Sequence, residues 1–379
     1  MKISIVTGFF LPVPAVQGGA IEKIWLRLAQ EFAAAGHEVN LFSRRWPGFP
    51  DSEQLGGVGL RRLPGFSHTR SLPRNLLLDL LWGLRVARRL PPADIVVCNT
   101  VTLPAYLSLI RPSAGRVVAF LGRMPKGHGH FYGRVDRLAA TSEAVRTQLL
   151  AENPRLAART RILRNPIDWQ LHQASAAKAP PSEARTIGYV GRMNPEKGLE
   201  ILLEAAGVLH RRGGLPGWRL RVIGPQRVAE GGGGEAYVDS LRERAARSGA
   251  PVTLEPPIYQ AETLARAYGQ MDVFCYPSLA EKGEGLSVAP IEAMAAGAVP
   301  VVSALECYRD AIRSGQNGLV FDHRAPNAAD LLADQLGLLL QQPAERARLA
   351  AAAAASARQF DYAAVAAEFL ADFRVLASP

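Results

Sequence analysis

Two glutamates that bracket a short turn are the first residues in this sequence with an evident chemical use. Glu284 and Glu292 have seven residues between them, and a short helical pattern begins in that segment and ends at Gly297. An ionised carboxylate only accepts hydrogen bonds, so each glutamate suits the hydroxyls of a vicinal diol. Two solvated surface glutamates would give the same pattern. If a helix begins near residue 288, unpaired amides at its positive end can bind an anion; these belong to Gly285, Leu286, Ser287 and Val288.

Two cations lie in a second segment, residues 187–203, which has the pattern of strand, glycine turn, cationic loop and helix. Arg192 and Lys197 both follow the strand, at the end where open α/β sheets bind their ligands. The phosphates of such a ligand would bind the cations and the amides, and its hydroxyls would donate hydrogen bonds to the glutamates. Together the two segments predict a site for a nucleotide sugar.

The pattern Gly-Arg-x-x-x-Glu-Lys-Gly begins at Gly191, and Glu-x-x-x-x-x-x-x-Glu-Ala-Met-Ala follows about ninety residues later. This pair of motifs resembles the retaining nucleotide-sugar glycosyltransferases of family 4, which have the GT-B fold. The resemblance covers nearly the whole chain. It implies an α/β protein with two Rossmann-like, doubly wound parallel-sheet domains that face a cleft.

The resemblance also assigns the domains. Residues 1–169 would bind the acceptor, and residues 186–357 would bind the nucleotide sugar. A C-terminal helix at about 361–379 would pack back on the first domain, although an ordinary last helix of the second domain is the alternative. Residues 170–185 have the composition of a linker.

The implied roles follow from the chemistry of a departing diphosphate, which gains negative charge as the anomeric bond breaks. Arg192 and Lys197 would stabilise that charge, Glu284 would hold sugar hydroxyls, and Glu292 would hold the ribose. Retention of anomeric configuration is implied by the family alone. No metal and no cofactor are expected beyond the nucleotide sugar as substrate. Further donor-binding positions come from the resemblance: Gly191 in the first motif, Ile258 beside the nucleobase, and Gly18 and Gly19, which would approach the donor phosphates or the acceptor or else form a plain turn.

One position departs from the family pattern. The strand Val117 to Leu121 commonly ends in a histidine that faces the reacting sugar, and here that position is Leu121. His128 and His130 follow closely and could substitute; as an i, i+2 pair they are also a weak metal signature without a third ligand. The departure motivates an alternative function, a nucleotide-sugar-binding protein that has lost catalysis.

Composition bounds the class of protein. At 379 residues the chain can form two domains, and its three cysteines show no metal or redox spacing. Pro12 and Pro14 interrupt the apolar start, so a first buried strand is expected rather than a signal peptide. These features predict a cytoplasmic protein.

Charge is unevenly distributed. Residues 1–170 hold 23 Lys and Arg against 11 Asp and Glu, a net charge of +12, whereas residues 171–379 hold 21 against 23, or −2. Such asymmetry predicts an anionic partner for the first half. The candidates are a membrane surface, an acidic acceptor and a nucleic acid, and the last is disfavoured because no recognition motif is present. The expected acceptor is a glycan or a lipid-linked molecule.

A predicted helix at 75–90 adds a candidate contact with the inner membrane face. One arc carries Leu76, Leu77, Leu80, Leu84 and Ala87, and the other mixes arginines with leucine and Trp82. Arginines among exposed apolar groups suit lipid headgroups. The alternative is a helix buried on two sides with its arginines extending to solvent.

Overall fold

The computed structural model describes residues 1–16, 19–67, 69, 71–176, 185–215 and 217–378. The chain divides into two compact units. Unit 1 consists of residues 1–166 and 362–379, and unit 2 consists of residues 167–361. The sequence analysis ended the first domain at residue 169. In the structure Ile167, Asp168 and Trp169 belong to unit 2 instead.

Unit 1 is built on one eight-stranded sheet with the order β3-β4-β2-β1-β5-β6-β7-β8. Every strand pair is parallel except β3 with β4. Its central strands are almost wholly apolar, as expected for parallel strands covered on both faces. The elements are β1 (Lys2–Val6), α1 (Ala20–Ala34), β2 (Glu38–Arg44), β3 (Ser52–Leu55), β4 (Val58–Leu63), α2 (Leu72–Ala87), β5 (Ile95–Cys98), α3 (Leu103–Ile110), β6 (Arg116–Leu121), β7 (Arg137–Ala140), α4 (Glu143–Glu152) and β8 (Thr160–Ile162).

Unit 2 has an all-parallel six-stranded sheet with the order β11-β10-β9-β12-β13-β14. Chain order reverses between β9 and β12, and such a switch point opens a crevice at the carboxyl ends of the two strands. The elements are α5 (Trp169–Ala176), β9 (Arg185–Val190), α6 (Leu199–Arg212), β10 (Trp218–Ile223), α7 (Glu235–Ser248), β11 (Val252–Glu255), α8 (Ala261–Gly269), β12 (Val273–Tyr276), α9 (Val288–Ala295), β13 (Val299–Ser303), β14 (Leu319–Phe321), α10 (Ala328–Gln341) and α11 (Pro343–Ala357).

The chain then returns to unit 1 as α12 (Tyr362–Ala377). This helix packs on α1, where Phe369 contacts Trp25 and Phe120 edge-on or tilted, with ring centroids 5.4 and 6.3 Å away. Phe369 and Phe373 are fully buried. The last helix therefore contributes aromatic rings to the core of unit 1.

The prediction of two doubly wound α/β domains is confirmed, but several local expectations are wrong. The supposed linker contains α5, which packs on α8 and α9. The continuous helix expected over 327–357 is two helices, since Pro343 starts a new one after Gln342. The irregular basic stretch before residue 74 contains the β3–β4 hairpin, which turns at Gly56 and Gly57 with φ of 60° and 82°.

Helix α2 also presents a different face from the expected one. Trp82, assigned to the exposed arc, is fully buried, and its indole N–H donates to the Thr7 carbonyl at 3.0 Å. Leu76 and Leu77, on the opposite arc, are 39% and 54% exposed. Burying the large indole removes more apolar area from water than burying a leucine, which fixes the rotation of the helix. Among the helices described, none has both the length and the apolar character needed to cross a bilayer.

Candidate active site

Lys197 lies in a single turn of 3-10 helix, Pro195–Lys197, between β9 and α6. Gly198 ends this turn with φ 66°, and a Cβ at this position would lie 2.0 Å from the Pro277 carbonyl oxygen. Glycine is thus required both by its backbone conformation and by the close approach of the chain after β12. The Leu279 N–H donates to the Glu196 carbonyl at 2.8 Å, which joins the loops on the two sides of the switch point.

Across that switch point Lys197 forms a buried ion pair with Glu284. The two residues are 5% and 8% exposed. Two serine hydroxyls also donate to Glu284, Ser278 Oγ to Oε1 at 3.0 Å and Ser287 Oγ to Oε2 at 2.6 Å. A buried carboxylate with three donors is held in one orientation.

Both members of the pair keep their charge near neutral pH. Burial alone lowers the pKa of Lys197, but the neighbouring Tyr276 and Glu284 outweigh it and raise that pKa above 10.5. Burial alone raises the pKa of Glu284, but the Lys197 charge and the hydrogen bonds lower it below 4.5. Lys197 Nζ also lies 5.5 Å from the centroid of the Tyr276 ring, where the ring face attracts a cation.

Arg192 follows β9 closely and is less buried than Lys197. Its Nη2 donates to Glu196 Oε1 at 2.7 Å, and its side chain is 40% exposed. Its Nη1 donates to the Gly231 carbonyl at 3.4 Å. The guanidinium is thus held beside Lys197's loop while part of it faces solvent.

Glu292 lies on α9, one to two turns beyond the helix start. The Tyr268 hydroxyl donates to Glu292 Oε2 at 3.0 Å, and His172 Nε2 lies 3.8 Å from Oε1. The His172 ring stands edge-on to Tyr268 with centroids 5.5 Å apart. Glu292 is therefore a mostly buried carboxylate supported by α5 and α8, rather than a solvated surface residue.

The turn before α9 has the predicted position, because the helix begins at Val288. Ser287 is its N-cap residue, yet its side chain makes no capping hydrogen bond. Its hydroxyl instead donates to Glu284 and contacts the Tyr276 hydroxyl at 3.3 Å. Gly285 and Leu286 are buried in the same turn, and Val288 is half-buried.

The other predicted positions are placed as follows. Gly191 directly follows β9, and its N–H donates to the Ile223 carbonyl at 3.0 Å. Ile258 is half-buried in the loop between β11 and α8. Gly19 caps α1 in unit 1 with φ 109°, and a Cβ there would lie 2.5 Å from Glu22 Oε2. Gly18 lies outside the described residues.

Leu121 is the last residue of β6 and is 5% exposed in the core of unit 1. It has no polar group to offer a sugar. His128 and His130 lie in a short 3-10 helix, where the His128 ring stands edge-on to Tyr132 at 5.6 Å. Burial lowers the pKa of His128. Among the residues described, no three His, Cys, Asp or Glu side chains are grouped to hold a metal ion.

Two partners of Glu292 were missed in the sequence, Tyr268 and His172. Neither belongs to a motif: Tyr268 lies on α8, 24 residues before Glu292, and His172 lies on α5. Only the packing of α5 and α8 against α9 brings them to the carboxylate. Ser278, which donates to Glu284 from just before the glutamate loop, also has no assigned role in the sequence analysis.

Two family models match consecutive parts of the chain. The model of the glycosyltransferase family 4 domain matches residues 18–171, and that of glycosyl transferases group 1 matches residues 172–356. The chain belongs to glycosyltransferase family 4. The second match contains Arg192, Lys197, Glu284 and Glu292, and the first contains Gly18 and Gly19.

Curated relatives of this family 4 chain include a phosphatidyl-myo-inositol mannosyltransferase of Mycobacterium tuberculosis H37Rv, 31% identical over 208 residues. That match covers 54% of this chain and 51% of the relative, so it spans about half the relative's length. The Mycobacterium leprae protein of the same name is 25% identical over 100% of this chain and 98% of its own. A D-inositol 3-phosphate glycosyltransferase of Frankia alni is 27% identical, covering 95% of each.

Solved structures establish the fold. Sucrose-phosphate synthase from Thermosynechococcus elongatus superposes with a TM-score of 0.79 at 20% identity, covering 99% of both chains. A trehalose-6-phosphate enzyme of E. coli bound with UDP-2-fluoro glucose gives 0.76 at 16% identity, again over 99% of both. The family 4 chain has the GT-B fold of these enzymes.

Proposed function

We propose that the protein transfers a hexose from a UDP- or GDP-sugar, bound by unit 2, to a glycan, lipid-linked or small-molecule acceptor bound by unit 1, with retention of anomeric configuration. The observation that carries the proposal is the meeting of Lys197 and Glu284 at the β9/β12 switch point. A cation, two serine hydroxyls and the positive end of α9 converge there, and a second carboxylate, Glu292, lies along the same helix.

Each residue has a defined task in this reaction. Breaking the anomeric bond leaves additional charge on the diphosphate, which Arg192 and Lys197 stabilise. Lys197 acts from a buried position, and Arg192 from one that is partly exposed. Glu284 accepts hydrogen bonds from sugar hydroxyls, and Glu292 accepts them from the ribose. The side chains of the chain itself supply the positive charge, so we propose that no metal and no further cofactor take part.

Family membership and the relatives' names support sugar transfer, and the names of two relatives give the acceptor class that we test first. Those relatives are named for phosphatidyl-myo-inositol and D-inositol 3-phosphate. We include both molecules among the acceptors, together with neutral sugars.

The test measures binding and turnover of UDP-, GDP- and ADP-sugars in the presence of EDTA. Lys197→Ala should slow turnover by about ten- to a hundredfold, because a charge-assisted hydrogen bond contributes roughly 1.5 to 3 kcal/mol. Glu292→Ala should weaken donor binding. Lys23→Ala and Glu243→Ala, at exposed positions on α1 and α7, are the controls and should match the wild type. Absence of binding by every donor would overturn the proposal.

A binding protein without catalysis is the second candidate, and Leu121 favours it. This buried leucine leaves the end of β6 without the polar group that the family commonly places there. The same experiment separates the two. A binding protein would bind the donor in the wild type and lose that binding in Glu292→Ala. It would neither transfer nor hydrolyse the sugar with any acceptor.

We further propose that α2 contacts the inner, anionic face of a membrane. Four of its leucines are exposed: Leu72 at 70%, Leu77 at 54%, Leu81 at 44% and Leu76 at 39%. The exposed Arg74, Arg88 and Arg89 lie at the two ends of the same helix. Apolar groups flanked by arginines match a bilayer surface with anionic headgroups, where each arginine contributes roughly 1 kcal/mol.

Vesicle sedimentation tests this contact. The triple variant Leu72→Ser, Leu77→Ser, Leu81→Ser should lose binding to vesicles of phosphatidylglycerol and phosphatidylcholine, as should Arg74→Glu with Arg88→Glu and Arg89→Glu. Val228→Ser, an exposed apolar position in unit 2, should bind like the wild type. Equal sedimentation of all four proteins would rule out α2 as the contact.

A further inference from the structure

Unit 1 has a cavity of about 380 Å³, broadly open to solvent, beyond the carboxyl ends of β2 and β4. It is lined by residues at and after the end of β2 and by residues after β4, among them Arg44, Arg45, Trp46, Phe49, Pro64 and Gly65. Its volume lies within the range of roughly 300 to 1,000 Å³ that small-molecule sites occupy. It also lies at the end of a parallel sheet where open α/β folds place ligands.

Arg44 gives this cavity a cation without a carboxylate partner among the described residues. Its guanidinium donates only to neutral oxygens, the Phe10 carbonyl at 2.8 Å and Ser67 Oγ at 3.5 Å. Burial lowers the pKa of Arg44, but arginine remains charged at any physiological pH. Arg45 differs, because Asp51 accepts from it in a bidentate pair at 2.6 and 2.5 Å. Arg44 is therefore the cation of this cavity that an incoming anion can neutralise.

Aromatic rings hold the arginines in place. The Arg44 guanidinium lies 5.1 Å from the centroid of Trp46, and that of Arg62 lies 4.8 Å from Phe49. Arg62 is itself buried and paired with Glu53, so it supports the wall without offering free charge. Half-buried Trp46 and Phe49 are also rings of the kind on which a sugar face packs.

The segment after β4 packs against the aliphatic part of the Arg44 side chain at Gly65. A Cβ at Gly65 would lie 2.4 Å from the Phe9 carbonyl oxygen and 2.6 Å from Arg44 Cγ. Only glycine lets residues 64–66 lie this close to β1 and β2. The guanidinium is thus pre-oriented, which lowers the entropic cost of binding an anion.

We propose that this cavity binds the anionic group of the acceptor, with Arg44 holding a phosphate or carboxylate and Trp46 contacting the attached sugar ring. The acceptor class is a phosphorylated or carboxylated sugar, either free or as the headgroup of a lipid. The proposal rests on the proposed function in one respect only, that unit 1 holds the acceptor. It also accounts for part of the excess positive charge in residues 1–170.

The test uses the full chain and measures the affinity of inorganic phosphate, glucose 6-phosphate and D-inositol 3-phosphate, with glucose and inositol as uncharged counterparts. Vesicles that contain either phosphatidylinositol or an equal fraction of phosphatidylglycerol form a separate arm. This arm distinguishes a lipid headgroup from a free sugar phosphate and from the general anionic contact proposed for α2. We expect at least one phosphorylated sugar or the phosphatidylinositol vesicles to bind, and the uncharged counterpart to bind at least tenfold more weakly.

Arg44→Gln should weaken that binding by about ten- to a hundredfold, and Arg44→Lys should retain part of it. Arg116→Gln is the matched control. It removes an exposed arginine at the amino-terminal start of β6, the other end of the same sheet, and should bind like the wild type. Melting temperatures of the three variants show whether each is folded, and Arg44→Lys keeps the comparison valid if Arg44→Gln is not.

Donor binding, measured in the same samples, separates this inference from the proposed function. Nucleoside diphosphate affinity should be unchanged in both Arg44 variants. If no donor binds to the wild type, the proposed function is wrong, regardless of the affinity measured for the phosphorylated ligands. If a donor binds but no phosphorylated ligand does, or if Arg44→Gln binds as well as the wild type, the cavity is not the anionic acceptor subsite.

Discussion

Lys197 and Glu284 form a charged pair that is almost closed to solvent. Its net contribution to stability depends on keeping both charges, since leaving one buried without the other costs roughly 3 to 5 kcal/mol. The two serine hydroxyls on Glu284 reduce the cost of desolvating it. A diphosphate that approaches Lys197 would have to compete with this carboxylate, so the pair holds the lysine extended before donor binds.

The pH dependence of this pair is testable by replacing Glu284 with Gln. The pKa of Glu284 is lowered from 4.5, so its stabilisation is complete above that value and is lost as the pH falls through the folded-state pKa. The pKa of Lys197 is raised from 10.5, so the contribution of Lys197 to stability is complete below pH 10.5 and is lost only as the pH rises through the folded-state pKa. We expect the wild type to exceed Glu284→Gln by a constant margin of about 3 kcal/mol between pH 5 and 9.

Below pH 4.5 that margin should begin to shrink. Denaturant unfolding of both proteins across the pH range measures it, with Glu243→Gln, an exposed position on α7, as the control. A margin that grew on acidification would mean that Glu284 is protonated in the folded protein.

Glu292 depends on the neighbouring Tyr268 hydroxyl for its orientation. Tyr268→Phe keeps the ring in place but removes the hydroxyl that donates to Glu292 Oε2. If Glu292 binds ribose hydroxyls, this change should raise the Kd of the donor nucleotide about tenfold, with little effect on kcat. It should also reduce the preference of the protein for the ribonucleotide over the 2′-deoxyribonucleotide. Tyr259→Phe is the control because Tyr259 is 60% exposed. An unchanged ribose preference would contradict the role given to Glu292.

At the scale of elements, the site depends on two loops that meet where β9 and β12 end. Gly198→Ala would place a methyl group against the Pro277 carbonyl oxygen, 2.0 Å away, and push the Lys197 turn from the Glu284 loop. Gly213→Ala is a close control, because Gly213 also has a positive φ, 67°, but has open space around it. Both variants carry backbone strain of about 1 kcal/mol, and only the first carries the clash.

We therefore expect Gly198→Ala to lower donor affinity and stability well beyond Gly213→Ala. Equilibrium unfolding and nucleoside diphosphate titration of the two variants give the comparison. If both variants lost the same stability and donor affinity, Gly198 would be required only for its positive φ and not for the close approach to Pro277.

Sequence reasoning reached the elements that local pattern determines. The start of α9 at Val288 and the strand–loop–helix around Arg192 follow from turn residues and apolar runs. The outward face of α2 does not, because leucines lie on both of its arcs and the partners of Trp82 are 75 residues away in the chain. The same holds for His172, whose role depends on α5 packing against α8 and α9.

At the scale of the whole molecule, unit 1 is assembled from two separated parts of the chain. Phe369→Ala removes a ring that contacts Trp25, Phe32 and Phe120, and should destabilise unit 1 by about 3 to 5 kcal/mol. Val375→Ala on the same helix should be nearly neutral, because Val375 is 71% exposed. Denaturant unfolding followed by tryptophan fluorescence measures both.

Nucleotide affinity should stay at the wild-type value in Phe369→Ala, since unit 2 consists of residues 167–361 and excludes α12. A large loss of nucleotide binding would mean that α12 supports the donor site as well.

The return of α12 also has a consequence during synthesis. Unit 2 is continuous in the chain and can complete itself as soon as it leaves the ribosome, whereas the first part of unit 1 emerges earlier and must wait for its last helix. At the usual 5 to 20 residues per second, translating residues 167–361 takes on the order of ten to forty seconds. Throughout that interval Trp25, Phe32 and Phe120 lack the Phe369 ring that covers them in the finished protein. We therefore expect the nascent chain to expose an apolar surface to chaperones that the finished protein buries.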